Sequence, residues 1–171
     1  AVLAIVGLYL LSTASGLFAI FAFATLYGFG KTFFWPTTLG VVAEQCPKGG
    51  ALTLNAIAGI GMLAVGILGG PVIGKMTEDS IKASIEEATS EETYQAVSND
   101  STYFLGDYTA VDSKKVEDLS ADEQNTVKES IQSGKQGSLA SIAIFPVFML
   151  ACYLGLILHF KQKGGYKPIE I

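Results

Sequence analysis

The sequence predicts an all-α fold. It reads as a polytopic membrane helix bundle, about three full spans plus one truncated span, with an acidic, partly helical soluble insertion. Three observations lead there. Half of the 171 residues are hydrophobic and only 16% are charged, and 19 are glycine. The charges are segregated: 14 of the 16 acids lie between Glu78 and Glu129. Outside that segment the chain holds three uncharged or nearly uncharged runs, each long enough to cross a hydrocarbon core of roughly 30 Å at about 1.5 Å per residue. In lipid each backbone donor and acceptor must be satisfied within its own segment, so these runs are predicted as helices.

Ala1–Ser12 (AVLAIVGLYLLS) is apolar but too short to span, since spanning needs roughly 20 residues. It lacks the charged flank of a signal peptide and reads as the end of a longer helix, so the chain is expected to be a C-terminal piece. Residues 12–15 (STAS) are predicted as a turn. The first full span is residues 16–43, interrupted only by Lys31. Residues 44–50 (EQCPKGG) form a short loop punctuated by Pro and Gly. The second span is residues 51–74. The third is residues 139–160, followed by a short basic tail. The organisation expected is therefore 1–76 membrane helices, 77–137 acidic insertion, and 138–171 last helix and tail.

Within 77–137 the net charge is −9, from 14 acids and 5 lysines. Residues 80–96 suit a helix. Ser120 and Glu123 match a capping box opening a second helix that Gly134 would stop. Tyr103, Phe104 and Tyr108 offer a small cap something to pack on. The chain has no arginine and no basic stripe with interleaved aromatics, which excludes a nucleic-acid surface. Its two cysteines, Cys46 and Cys152, read as free thiols. The lone His159 has no metal-ligand spacing around it. No phosphate loop, nucleophile elbow or catalytic constellation is present, so neither an enzyme nor a cofactor is expected.

One position stands out. Lys31 lies near mid-span, where a charge costs roughly 3 kcal/mol or more and normally faces a bundle interior or a water-filled cavity. Tyr27, Lys31, Trp35 and Thr38 follow helical spacing onto one face. That face reads as a substrate pathway, with Lys31 meeting an anionic or hydroxyl-rich solute. The alternative is a structural lysine that snorkels or pairs with a carboxylate on another helix. Pro36 is placed to kink the helix. Gly66, Gly70 and Gly74 follow small-xxx-small spacing that lets helix backbones approach. Asn55 is expected to bond a neighbouring helix. Glu44 and Lys48 form a polar junction, as a latch or as ordinary interfacial residues.

The run GFGKTFFWPTTLGVVAEQCPKGGALTLNAIAGIGMLAVGILGGPVIG, residues 28–74, resembles the tenth and eleventh helices of major facilitator superfamily transporters. The ending GGYKP resembles tails of the same group. The resemblance implies that 1–12 ends a ninth helix, that 139–160 is the twelfth, and that eight upstream helices complete the protein. It further implies secondary transport of a small polar solute by alternating access, coupled to protons or sodium, in the plasma (inner) membrane. The expected partners are then lipid, the solute, the coupling ion and the upstream helices. Lysines near the spans favour a cytoplasmic tail (Lys48, Lys161, Lys163 and Lys167 against Lys75, Lys82 and Lys135), leaving 77–137 periplasmic or extracellular. A second reading keeps the helices as an anchor or assembly subunit whose acidic segment binds a partner.

Overall fold

The computed structural model describes residues 1–103 and 106–169. Phe104, one of the aromatics expected to pack a cap, lies outside the described residues, as does Glu170. The chain is 81% helical, so helix is the material of both the apolar and the acidic regions. It divides into two compact units, residues 1–66 with 143–171, and residues 67–142. Three helical runs are long and apolar enough to cross a membrane: Leu17–Gln45, Pro47–Ala88 and Ala121–Gln162. They suggest a membrane protein.

The first unit begins with α1 (Val2–Ser12) and α2 (Leu17–Thr32). Gly16, at φ 83°, supplies the left-handed residue that ends the intervening turn. The two helices touch backbone to backbone. A Cβ on Gly7 would lie 2.7 Å from the Tyr27 nitrogen, and one on Gly30 would lie 2.5 Å from the Ala4 nitrogen. Ala4 therefore opposes Gly30 while Gly7 opposes Tyr27, so the chains run in opposite directions. Small residues permit this approach, as they do at helix contacts in lipid. After α3 (Phe34–Gln45) and a 3₁₀ turn at Pro47–Gly49 comes α4 (Gly50–Ala64). The unit closes with α9 (Ile144–Gln162) and the tail.

Three prolines explain where the long runs are interrupted. Proline has no N–H to offer the carbonyl four residues back, and its ring collides with that carbonyl. For Pro36 that residue is Thr32, where α2 ends. For Pro146 it is Ile142, where α8 (Ala121–Ile142) ends. For Pro71 it is Ile67, at the centre of a π turn, Val65–Gly69. The first predicted span is thus interrupted at Phe33, ahead of Trp35.

The second unit pairs α5 (Gly70–Ala88) with α8. Gly134 does not stop α8, contrary to expectation. A Cβ there would lie 2.5 Å from the Ile81 Cα, so the glycine serves close packing and the helix continues for two turns beyond it. Ser130, Gly134 and Ser138 form the contact stripe, and the Thr77 hydroxyl donates to the Ser138 hydroxyl at 3.5 Å. Around this pair a core gathers Ile81, Ile85, Tyr94, Val97, Val116 and Val127.

The helix expected over 80–96 is split. Ser90 caps α6 (Glu91–Val97) by accepting from the Thr93 amide at 3.2 Å. Next, β1 (Ser98–Tyr103) and β2 (Gly106–Val111) pair antiparallel, from Ser98↔Val111 to Tyr103↔Gly106. Asn99 donates to Asp112 at 2.7 Å, and Asp112 also caps α7 (Ser113–Glu117). At the start of α8, Glu123 accepts from the Ser120 hydroxyl at 2.6 Å and from its amide at 3.3 Å, the second bond being the carboxylate half of a capping box.

Candidate functional site

The break at Phe33 divides the Lys31 face into two pairs. Lys31 occupies the last turn of α2, where a cation suits the carbonyl-rich helix end. It is exposed, and its Nζ lies 6.0 Å from the Tyr27 ring centroid, at the outer range of cation–π attraction. Among the described residues the ion pair is Lys82 with Glu86, and no carboxylate pairs with Lys31.

Trp35 and Thr38 sit past the break, on α3. Trp35 lies against Gly61 of α4, where a Cβ would come 3.0 Å from its ring. The Thr38 hydroxyl donates to the Phe34 carbonyl at 2.9 Å, and the Tyr153 hydroxyl of α9 donates to the same carbonyl at 3.1 Å. Trp35 and Thr38 line a cavity of about 350 Å³ with Phe34, Ile57, Gly61 and Met149. The walls are apolar apart from the threonine. The contacts present thus join Tyr27 with Lys31 and Trp35 with Thr38. Tyr153 belongs with the second pair. The only signal for it in the sequence was a hydroxyl in an otherwise apolar run, which does not say which helix it meets.

Pro36 is exposed just past the break that it causes. Asn55 is exposed on α4. A Cβ on Gly66, Gly70 or Gly74 would meet no described atom within 4 Å, so that stripe is an open surface of this chain. Lys48 is exposed in the 3₁₀ turn.

Glu44 is engaged. Its Oε2 accepts from the Tyr166 hydroxyl at 2.6 Å. That hydrogen bond raises the phenol above its ordinary 10.0, so Tyr166 is a protonated donor at neutral pH. Among the described residues no group of three or more His, Cys, Asp or Glu side chains could hold a metal ion.

No known protein family, curated protein or solved structure matches the chain. The class that the fold itself suggests is a helical membrane protein, on the three apolar runs described above.

Proposed function

We propose that the chain is part of a secondary active transporter that moves a small polar solute, an organic anion or a sugar-like metabolite, by alternating access. One observation carries the reading: an exposed lysine with no ion-pair partner among the described residues, Lys31, in an apolar helix that is interrupted two residues later. A charge held in a membrane span is costly and is ordinarily kept for an ion or substrate pathway. Broken helices at membrane depth offer backbone groups to a solute. The resemblance of residues 28–74 to major facilitator superfamily helices supports the same reading. On that resemblance, helices upstream supply the rest of the pathway, a proton or sodium ion drives transport, and the tail is cytoplasmic.

Lys31→Ala in the whole gene product, reconstituted in proteoliposomes, tests this. With a range of organic anions and sugars as probes, uptake falls at least about tenfold while insertion is unchanged, the loss expected when a charge-assisted contact worth roughly 1.5–3 kcal/mol is removed. Uptake of a transported solute that is indifferent to Lys31→Ala removes the lysine from the pathway. No uptake of any probe favours the second reading, an anchor whose acidic segment binds a partner. The acidic unit favours that reading to one extent: it has a core of its own.

A further inference from the structure

The tail after α9 does not trail away. Gly164 and Gly165 have φ of 87° and 105°, the left-handed region that glycine adopts without strain. Two such residues in succession turn the chain back. The reversal is pinned locally, by the Gly165 amide donating to the Phe160 carbonyl at 2.9 Å. It is pinned again by the Tyr166 ring meeting Phe160 edge-on at 4.7 Å between centroids.

From there the tail reaches the end of α3. The Tyr166 hydroxyl donates to Glu44 at 2.6 Å. The Gln45 side-chain amide donates to the Lys167 carbonyl at 3.0 Å. The Ile169 amide donates to the Glu44 carbonyl at 2.9 Å. That carbonyl is one of the last four of α3, which have no partner inside the helix. A segment remote in sequence thus acts as the C-cap of α3. Three independent hydrogen bonds, one between two side chains, one from a side chain to backbone and one purely backbone, are more than a chance graze of a loose terminus.

We propose that residues 164–169 are a releasable strap that ties the end of α3 to the end of α9, with the Tyr166–Glu44 hydrogen bond as its catch. The parts divide the work. The two glycines make the reversal, Phe160 anchors the ring, and Glu44 and Gln45 receive the tail. Tyr166 is still 44% exposed, so water competes for its hydroxyl and the catch can open without unfolding either helix. Any motion that parts these two helix ends must first break these bonds. The strap therefore biases the pair toward the arrangement seen here. The inference uses only contacts made within this chain and does not depend on transport.

The test uses the full chain in lipid nanodiscs, with Cys152→Ser and Lys163→Cys so that spin labels sit at Cys46, the C-cap of α3, and at the C-cap of α9. Pulsed electron resonance gives the distance distribution between the two helix ends. Hydrogen exchange followed by mass spectrometry reports on residues 164–169. Tyr166→Phe keeps the ring against Phe160 and removes only the catch. The expected result is a broader distance distribution and roughly fivefold faster exchange of the tail, the factor that corresponds to one ordinary hydrogen bond. A chain ending at Lys163 broadens the distribution further. A distribution that is unchanged in either variant, or tail exchange that is unchanged in Tyr166→Phe, overturns the proposal.

Discussion

Glycine positions show how much one missing methyl group decides. Gly134 lies against the α5 backbone, whereas Gly137, one turn further along α8, has no described atom within 4 Å of a built Cβ. Both are helical, so both carry the same intrinsic penalty of about 1 kcal/mol relative to alanine. Alanine at Gly137 recovers that amount. Alanine at Gly134 forces Ile81 and its helix outward, an overpacking cost of roughly 1–3 kcal/mol. Thermal unfolding followed by circular dichroism is expected to show Gly134→Ala melting lower than the parent and Gly137→Ala at or above it. Equal behaviour of the two variants would mean that the α5–α8 contact is looser than drawn. The same logic separates Gly7 and Gly30, which meet backbone, from Gly66, Gly70 and Gly74, which face open space in this chain. Spacing in the sequence picked out the second group. It could not identify the first, because a glycine's partner belongs to another helix.

Helix interruptions obey a single rule. Pro36, Pro71 and Pro146 each disturb the helix at the fourth residue before them, at Thr32, Ile67 and Ile142. Two outcomes arise from the same chemistry, a one-residue interruption with the backbone still in the αR region at the first and last, and a π turn at the middle one. Pro36→Ala restores the donor. The expected outcome is continuous helix through Phe33, with the new amide of residue 36 protected by the Thr32 carbonyl. Hydrogen exchange resolved to single residues checks this, and rapid exchange of that amide would show that the break has another cause. The face read from 4, 4 and 3 spacing assumes that continuous helix, which is why it divides into two pairs in the structure. The proline was visible in the sequence. What was not visible is that its effect falls upstream of Trp35, because the clash is with a carbonyl already passed.

At the scale of the whole molecule, two units have different physical supports. Residues 67–142 hold a core of six buried side chains, while the other unit relies on close backbone contacts between apolar helices. Ile85→Ala, at a side chain with no exposed surface, is expected to cost roughly 2–5 kcal/mol. Exchange should quicken across residues 77–131 and stay as it was across 17–32. Acceleration of both stretches would mean that they unfold as one. The long apolar runs were legible because lipid leaves a helix no other way to satisfy its backbone. The Ser120–Glu123 cap was legible because its partners are only three residues apart. The pairing of β1 with β2 was not, since a two-stranded ribbon only needs alternating Thr, Tyr and Val for a few residues, and the surrounding acids mask that pattern. The core was also missed, because its members are single apolar residues scattered over four helices that only the fold assembles.

The strap adds a dimension of time. Glu44 and Tyr166 are separated by 122 positions, and a ribosome delivers chain at about 5–20 residues per second. The end of α3 therefore exists for several seconds before the segment that caps it has been made. Throughout that interval the Glu44 carbonyl lacks the amide of residue 169 that later caps it. Closure of the strap then joins an early product of synthesis to a late one, and it can happen only after every intervening helix has been delivered.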